Sequence, residues 1–461
     1  MTKKLLILDV KKNYDYKKKD YDIIIVNRGI IKIRNCKKIL FDINDNKKNI
    51  LDDKKKILSF FLNIKKNIKK QINHFDPIEL EILNLRNDKI DYINKLFVFL
   101  KLSRLNTKKY QEIEICLDDH KYADSYKGIF NKNTRINVIG KNFDKFNELN
   151  ILYKYIKFLI RSFLFVKILK KTSLKKLKNR KKFNEIYLSL FPNLFKKNEV
   201  KIYNSKNINY LNFSLTDETH LSINPKNYRK HIKKISKIKN ITNIENYINY
   251  IDLFKSFKLF LLNISNIKKI CHKKYFLDNI NFTEVIRQNL LISFLNRYKL
   301  CIYENAIKKF FHKNKINFFH YFLFEYNFGF FLKNFLFKRV KYFIGYQHGF
   351  FTSKTFWMEL TRYDKKNNSL PNKIICNSKP SLNSYKKFFS KITYEKNNDL
   401  NNLIKLKAIT LNQSKNLLVF VGQHDVEDCI YHFINNNGFD NNKIYIKTHP
   451  NYKKKNYDKK A

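Results

Sequence analysis

Residues suited to acid–base or phosphate chemistry follow three apolar segments in the last third of the chain. The segment FLFE ends in Glu325, and YFIGYQHG carries Gln347 and His348 near its end. The third segment, KIYIKTHP, ends in Lys447, Thr448, His449 and Pro450. Each segment is typical of a buried parallel strand, and α/β proteins keep their sites at the carboxyl edge of such a sheet. Together, these strand ends predict one site.

Glycine is concentrated at the second of these strand ends. The chain has eight glycines, and two of them, Gly345 and Gly349, flank Gln347 and His348. Glycine permits a left-handed turn or a close approach of the backbone to a ligand, so this backbone is predicted to exclude a side chain. Taken singly, a histidine at a strand end is also an ordinary polar loop residue, and that alternative stays open.

The first 140 residues predict an α/β layer fold. Near-continuous apolar runs are typical of parallel strands that are buried on both faces. The runs are LLILDV (5–10), DIIIVN (22–27), KILFDI (38–43), EIEIC (112–116) and RINVIG (135–140). Residues 52–73 and 77–103 carry helical spacing between the third and fourth runs, and this alternation indicates an α/β fold.

Residues 145–310 are predicted to be largely helical, with strand character in EIYLSLFP (185–192) and helices over most of 226–310. In LYKYIKFLIRSFLFVKILKK, the charges of Lys154, Lys157 and Arg161 recur every three or four residues opposite an apolar face. Such a helix either lies on a membrane surface or packs its apolar face on the protein core. The sequence leaves both alternatives open.

The alternation of predicted strands and helices resumes in the last third of the chain. Strands are predicted over 318–325, 342–349, 372–379, 416–423 and 443–450, with helices over 329–340, after Pro380 and over 425–435. The Lys/Asn-rich stretch 391–415 lies between two strand–helix units. We therefore predict an N-terminal domain of residues 1–390, with a helical insertion over about 145–310, and a C-terminal domain of residues 391–461.

The net charge of +55 does not by itself indicate a nucleic-acid partner. Of the 94 basic residues only twelve are Arg, and Asn, Ile and Phe are also heavily used, which is the pattern of drift towards AT-rich codons. A surface selected to bind phosphates is expected to use more Arg, whose planar guanidinium matches a phosphate better. No specific nucleic-acid partner is predicted, whereas contact with anionic lipid headgroups is favoured.

Cysteine usage and the N-terminus predict a cytoplasmic protein. The six cysteines are scattered without a CxxC pair, as expected for reduced, buried thiols. The N-terminal apolar run is too short for a signal peptide or an anchor. No Asp-x-Asp pair ends a predicted strand. LDD at 117–119 is the nearest contender, and no metal site is predicted.

Several motifs in residues 318–450 resemble bacterial surface-carbohydrate glycosyltransferases. The motifs are FLFEYNFGFFLKNFLFKR, IGYQHGFF, NKIICNSKPSLNSYKKFF and IYIKTHP, in that order. They are similar to segments of capsule and lipopolysaccharide transferases, polysialyltransferases and CDP-glycerol glycerophosphotransferases. The resemblance implies the GT-B architecture, in which two Rossmann-type domains form the enzyme, and metal-independent catalysis.

Sugar transfer needs a base for the acceptor hydroxyl. A neutral imidazole near its ordinary pKa suits this role, so we assign it to His348, with Glu325 as the alternative base or as an orienting partner. Ser378, just before the helix at Pro380, is expected either to offer a hydroxyl and helix N–H groups to an anion or simply to cap the helix.

The resemblance also implies donor-binding roles at two strand ends. His449 is expected to contact the donor phosphate or nucleotide, while Lys447 adds positive charge and Pro450 fixes the backbone. Gln347 and Gly349 are expected to bind donor or substrate beside His348.

The implied function is transfer of a sugar from a nucleotide-activated donor to a capsule or lipopolysaccharide precursor. The expected donor is a CMP-linked acidic sugar, and the expected acceptor is a glycan or a lipid-linked precursor at the inner face of the cytoplasmic membrane. No cofactor is expected besides this co-substrate. Residues 391–461 are fewer than the roughly 130–170 of a nucleotide-binding domain, so the second domain is expected to be incomplete. The alternatives are a non-catalytic binding or scaffold protein derived from such an enzyme, and a basic RNA-binding protein.

Overall fold

The computed structural model describes most of the first 400 residues and two strands beyond them. The described residues are 3–10, 21–26, 38–39, 47–84, 90–130, 134–138, 148–173, 184–189, 209–215, 225–236, 238, 240–322, 327–347, 370–376, 378–388, 392–396, 416–420 and 443–447.

A five-stranded parallel sheet is built from the N-terminal part of the chain. Its strands are β1 (Lys3–Asp9), β2 (Tyr21–Ile25), β3 (Lys38–Ile39), β4 (Tyr110–Leu117) and β5 (Thr134–Val138). They are arranged in the order β3-β2-β1-β4-β5. Residues 5–8 of the central strand are all buried, which explains why this strand is continuously apolar.

A second parallel sheet has seven strands. They are β6 (Glu185–Ser189), β7 (Tyr210–Asn212), β8 (Ile241–Asn243), β11 (Phe318–Phe322), β12 (Tyr342–Tyr346), β13 (Lys373–Cys376) and β14 (Thr393–Lys396). The order is β14-β13-β12-β11-β6-β7-β8. In each sheet, the strand that comes first in the sequence is internal. The next two strands of that sheet in the sequence lie on one side of it, and the later strands lie on the other side. This order is shared with doubly wound α/β folds, whose ligands bind where the direction reverses.

Two smaller sheets complete the described strands. β9 (Phe276–Leu277) and β10 (Ile280–Asn281) form an antiparallel hairpin whose two turn residues, Asp278 and Asn279, have φ of 48° and 64°. β15 (Asn416–Phe420) and β16 (Lys443–Lys447) form a parallel pair.

Eleven helices longer than a 3₁₀ turn are found among the described residues. They are α1 (Lys47–Gln71), α2 (Glu81–Asn84), α3 (Ile90–Leu102), α4 (Ala123–Ile129), α5 (Glu148–Ser173), α6 (Pro225–Ser236), α7 (Tyr250–Cys271), α8 (Thr283–Leu300), α9 (Glu304–Lys313), α10 (Asn327–Leu336) and α11 (Lys379–Phe388). In the described part of the chain, no helix combines the length and apolar character needed to cross a bilayer.

The chain forms two compact units. The first comprises residues 1–45, 101–143 and 399–461 and holds the five-stranded sheet and the β15–β16 pair. The second comprises residues 46–100 and 144–398 and holds the seven-stranded sheet. The predicted helical insertion, 145–310, contains five helices and also strands β6, β7 and β8 of that sheet. The domain boundary between residues 390 and 391 remains a prediction.

One face of the seven-stranded sheet is buried beneath helices. Its aromatic residues Phe319 and Phe343 are buried and contact α9 and α10. The Phe311 and Phe319 ring centroids are 5.9 Å apart, and Lys333 Nζ lies 4.1 Å from the Phe343 centroid. The opposite face of β12 and β13 is exposed or half-buried and carries Tyr342, Ile344, Tyr346, Lys373 and Ile375.

The α/β fold class is confirmed, and strands lie in each of the predicted apolar runs of the first 140 residues. Five of the described strands were missed, including the two-residue strands β9 and β10 within the region predicted to be helical. β7 and β8 have three residues each and lie among Asn and Lys, and β14 lies inside the stretch predicted to be a boundary. The helical spacing predicted over 77–103 is confirmed by a 3₁₀ turn and the separate helices α2 and α3. Four cysteines are described, and all are buried free thiols.

Candidate functional site

The carboxyl ends of β11, β12 and β13 lie side by side in the seven-stranded sheet. Phe322 pairs with Tyr346, and Tyr346 pairs with Ile375, so the three strands end at nearly the same level. The residues that directly follow β12 and β13 are therefore neighbours, although 26 or more residues separate these strands in the sequence. This edge is where a parallel α/β sheet places its ligands.

Gln347 follows β12 and is held by the next strand. Its backbone N–H donates to the carbonyl oxygen of Ile375 at 3.0 Å, which extends the ladder by one residue. Its side chain is buried, with 6% exposure, and Nε2 donates to Ser381 Oγ at 3.1 Å. The amide is therefore fixed in one orientation at the end of the strand.

Ser378 stands directly before α11 and caps this helix. Its Oγ accepts from the backbone N–H of Ser381 at 3.3 Å, which is the N-cap geometry. The Ser378 hydroxyl also donates to Ser381 Oγ at 3.0 Å. Both alternatives for Ser378 remain compatible with this geometry, because a capping serine also stands at the positive end of the helix.

Gln347, Ser378 and Ser381 thus form one hydrogen-bonded group, called here the edge cluster. The sequence predicted two of its members and missed Ser381, whose spacing of three from Ser378 was the available signal. Amide and hydroxyl groups at a helix N-terminus are well suited to bind the oxygens of an anion such as a phosphate. The edge cluster is our candidate site.

Gly345 lies inside β12 and not in a turn. It pairs with Tyr321 on one side and Ile374 on the other, and all three residues are buried. The predicted left-handed turn at Gly345 is therefore wrong, and the alternative of a ligand contact there stays a prediction. The strand is regular here, and the large Tyr321 ring beside the glycine provides a packing reason for a residue without a side chain.

The remaining predicted site residues lie outside the described residues or belong to the first compact unit. Glu325, His348, Gly349, His449 and Pro450 lie outside the described residues. Lys447 is the last residue of β16, in the first compact unit. Their predicted roles stay predictions.

A second polar cluster, which the sequence did not predict, lies at the carboxyl ends of β7 and β8. Asn212 Nδ2 donates to Asn243 Oδ1 at 2.6 Å and to Ser214 Oγ at 2.7 Å. Glu245 Oε1 accepts from the backbone N–H of Ser214 at 2.5 Å and from Tyr303 OH at 2.7 Å. These bonds fix the chain where it leaves both strands.

Glu245 is fully enclosed, and its carboxyl is perturbed accordingly. Burial raises the pKa of Glu245 from its ordinary 4.5 to about 7, while hydrogen bonds from Tyr303 and the backbone of Ser214 and Leu215 oppose the rise. Such a value suits a general acid or base, but a buried structural carboxyl has the same signature.

Ser214 and His231 form a pair that superficially resembles a nucleophile and its base. Ser214 Oγ lies 3.0 Å from His231 Nε2. Both side chains are buried, with 0% and 3% exposure, so a substrate cannot approach the hydroxyl without rearrangement. We interpret this second cluster as structural.

His320 lies in the middle of β11, on the less covered face of the sheet. Its ring stacks on Tyr187 with centroids 3.8 Å apart, Nδ1 lies 3.0 Å from Tyr346 OH, and Nε2 lies 2.7 Å from Glu185 Oε1. Burial lowers the pKa of His320, and the Glu185 carboxylate opposes this effect. The sequence analysis assigned no role to His320, because it lies inside a strand and not at its end.

In the first unit, Asp9 ends β1, and Asp118 and Asp119 follow β4, where the strand order reverses. Asp9 Oδ2 accepts from Tyr126 OH at 3.0 Å, and the Asp9 carbonyl accepts from the Asp118 backbone N–H at 3.1 Å. Asp119 accepts from the Lys121 backbone N–H and pairs with Lys121 Nζ at 2.6 Å. Among the described residues, no three His, Cys, Asp or Glu side chains are grouped as metal ligands.

Comparison with known proteins identifies no relative of this chain. No protein-family model, curated protein or solved structure matches the chain. The resemblance to surface-carbohydrate glycosyltransferases therefore depends on the sequence motifs alone and remains a prediction.

Proposed function

We propose that the protein is a glycosyltransferase that moves a sugar from a nucleotide-activated donor to a surface-polysaccharide or lipopolysaccharide precursor. The proposed donor is a CMP-linked acidic sugar, and the proposed place of action is the cytoplasm. The observation that supports this proposal is the edge cluster. Gln347, which directly precedes His348 in the chain, is buried there and hydrogen-bonded at the N-terminus of α11.

The edge cluster would bind the phosphate of the donor. The hydroxyls of Ser378 and Ser381 and the backbone N–H of Lys379 offer donors to phosphate oxygens, and the helix dipole favours their negative charge. Because Gln347 is anchored to both β13 and Ser381, it would hold the backbone that leads into His348. Leaving-group charge is best stabilised by donors that are fixed before the reaction.

His348 would then act as the base for the acceptor hydroxyl, with Glu325 as the alternative base or orienting partner. Deprotonation of the hydroxyl as it attacks the anomeric carbon needs a group whose pKa is near neutral. His449, Lys447 and Pro450 keep their proposed roles at the donor nucleotide. No metal is needed in this scheme, since protein donors carry the stabilisation of the phosphate.

A GT-B architecture is also part of the proposal. The chain contains two parallel sheets in which the strand order reverses beside the first strand, and each belongs to its own compact unit. A two-domain enzyme with a Rossmann-type sheet in each domain has these features.

Titration calorimetry with CMP, CDP, UDP and GDP tests for the nucleotide site. We expect the full chain to bind a cytidine nucleotide and Ser378→Ala to weaken this binding about tenfold, the effect of losing one hydrogen bond to a charged group. Ser384→Ala is the matched control. Its hydroxyl lies in the same helix but donates to the Pro380 carbonyl at 3.0 Å, so the affinity should stay unchanged. Equal loss in both variants, or no nucleotide binding at all, contradicts the proposal.

The catalytic assignment is tested separately by turnover. With an identified acceptor, His348→Ala should reduce sugar transfer about a hundredfold or more while nucleotide affinity is kept. Full activity in this variant would exclude His348 as the base and direct attention to Glu325. Nucleotide binding without transfer to any acceptor would instead favour the non-catalytic alternative.

A further inference from the structure

The described residues expose an apolar face on α5 and α7. Fourteen large apolar side chains are exposed among these residues, and ten of the fourteen belong to these two helices. They are Leu149, Tyr153, Ile156, Ile160 and Phe163 of α5, and Tyr250, Ile251, Phe254, Leu261 and Leu262 of α7. Leu149 is 74% exposed and Phe254 and Leu262 are each 67% exposed, so these side chains are largely in solvent. This group is called the α5–α7 face.

The α5 residues of this face are additional to those that attach the helix to the core. The buried stripe of α5 comprises Ile151, Tyr155, Phe158, Ser162, Phe165, Val166 and Leu169. The exposed residues follow at spacings of three and four on the other side of the helix. A packed surface helix needs only one apolar stripe. The second stripe is therefore not explained by the folding of the unit.

The stripes of the two helices adjoin. The rings of Phe163 and Tyr250, both exposed, have centroids 4.9 Å apart. Tyr155 OH lies 2.5 Å from Ser256 Oγ, and the Tyr155 and Phe257 rings are 6.5 Å apart. Since later residues of α5 contact earlier residues of α7, the helices are antiparallel. Their exposed stripes form one continuous surface.

Positive charge surrounds this surface, and the two helices contain few acidic residues. Lys154, Lys157, Lys255 and Lys258 are exposed on α5 and α7. The two helices hold ten Lys and Arg residues but only two acidic ones, Glu148 at the start of α5 and Asp252. Asp252 is buried, and its Oδ2 accepts from the Asn249 backbone N–H at 2.8 Å. The face is thus apolar at its centre and cationic around it.

We propose that the α5–α7 face docks on a lipid bilayer that contains anionic lipids. Aromatic and aliphatic side chains would enter the boundary between headgroups and acyl chains, while the lysines would contact the anionic headgroups. A second copy of the chain is the less suitable occupant, because an isologous contact would bring together two helix pairs that each carry ten basic and only two acidic residues. The face shares no residue with the edge cluster, so the proposal is independent of nucleotide binding.

Vesicle cosedimentation of the full chain tests the proposal. The vesicles are phosphatidylcholine alone, or phosphatidylcholine in which about a quarter of the lipid is phosphatidylglycerol. We expect strong binding to the second kind and a loss of about tenfold or more in the partition coefficient for the double variant Phe254→Glu/Leu262→Glu. The matched control is Leu51→Glu/Phe276→Glu, which places two carboxylates at apolar residues of similar exposure elsewhere in the second unit. The control should bind within about twofold of the unmodified chain.

Three outcomes would overturn the proposal: equal binding to both kinds of vesicle, equal loss in the two double variants, or dimerisation that the Phe254→Glu/Leu262→Glu change abolishes without affecting vesicle binding.

If the Glu variants do not fold, Leu262→Trp provides the test, because the chain has one other tryptophan and its background emission is low. Emission of the new tryptophan should shift to the blue on addition of anionic vesicles and be quenched by brominated lipid. An unshifted, unquenched emission contradicts docking by this face.

Discussion

Arg297 carries its charge inside the second unit, where an ion pair and two aromatic rings stabilise it. Its Nε lies 2.5 Å from Glu79 Oε2, and both side chains are almost fully enclosed. The guanidinium lies 4.8 Å and 4.9 Å from the ring centroids of Phe75 and Phe331. Glu79 also accepts from Asn334 at 3.1 Å. This network joins the segment before α2 to α8 and α10.

Removing the carboxylate from this network should be costly. We expect Glu79→Gln to lower the free energy of unfolding by about 3 kcal/mol, because the buried Arg297 then keeps only its longer ion pair with Glu304, 3.4 Å away. The control is Glu284→Gln, which affects the more exposed pair of Arg287 and Glu284, 3.1 Å apart, and should cost about 0–1 kcal/mol. Urea titrations of the three proteins measure the difference. Equal losses would show that the buried pair carries no special stability.

Glu245 predicts a specific dependence of stability on pH. Its folded pKa of about 7 lies above the ordinary 4.5, so the unfolded chain releases this proton at lower pH than the folded chain. The contribution is fully favourable below pH 4.5 and is lost as the pH rises through about 7, a change of about 3 kcal/mol. Glu245→Gln removes this titration, so the variant should gain stability relative to the unmodified chain across this window.

Denaturant titrations of both proteins at several pH values check this expectation. Tyr303→Phe provides a second test, since it deletes a donor to Glu245 Oε1 and should move the upper end of the window to higher pH. A stability difference between Glu245→Gln and the unmodified chain that does not vary with pH would contradict the assignment.

At the level of residues, the sequence identified part of the candidate site and missed other polar clusters for a physical reason. Gln347 and Ser378 follow clear apolar strands, so their meeting at one edge could be predicted from parallel-sheet geometry. Glu245 follows the three-residue strand β8, which carries too short an apolar run to be recognised. His320 is inside a strand, and only the pairing of β11 with β6 and β12 brings Glu185 and Tyr346 to it.

At the level of elements, the hairpin of β9 and β10 depends on two residues in left-handed backbone. Asn279 has φ of 64°, a conformation that Asn adopts with little strain, Gly adopts freely and β-branched residues adopt poorly. We expect Asn279→Gly to raise the free energy of unfolding by a few tenths of a kcal/mol and Asn279→Val to lower it by about 1–2 kcal/mol.

Thermal unfolding of the Asn279→Gly and Asn279→Val variants measures these opposite changes in stability. The Val variant also keeps the ion pair of Lys56 with Asp278, which lies one residue earlier, so loss of that pair is not part of the effect. Similar melting temperatures for both variants would show that the turn conformation does not limit stability.

Strands and helices could be predicted where burial requires a continuous pattern of apolar residues in the sequence. In β1, residues 5–8 are buried on both faces, so the strand is visible as an unbroken apolar run. In α5 the apolar residues cover two sides, and the sequence could not decide between a core helix and a membrane-surface helix. Packing shows that one stripe is buried in the core, and the exposed stripe is the basis of the docking proposal.

At the level of the whole molecule, the basic excess should give weak and salt-sensitive binding to nucleic acid. Lysines spread over the surface neutralise phosphates without reading bases, so affinity depends on counterion release. We expect binding to a random RNA at low salt to be lost at about 0.5 M NaCl, because such affinity falls steeply with salt. Filter binding over a salt series measures this loss. RNA affinity that persists at high salt would favour the RNA-binding alternative.

The strand order could not have been derived from the sequence. Apolar runs indicate that strands exist and that they are parallel, but the reversal beside β1 and β6 is set by long-range pairing. That reversal also determines which strand ends are neighbours. In the second unit it places β11, β12 and β13 together on one side of β6, and the edge cluster depends on this arrangement.

The most direct test of the central claim is a crystal structure of the full chain grown with CDP. The account predicts electron density for a phosphate at the N-terminus of α11, within hydrogen-bonding distance of the Ser378 or Ser381 hydroxyl and next to Gln347. Nucleotide density at another place in the molecule, with the edge cluster closed and unoccupied, would contradict it.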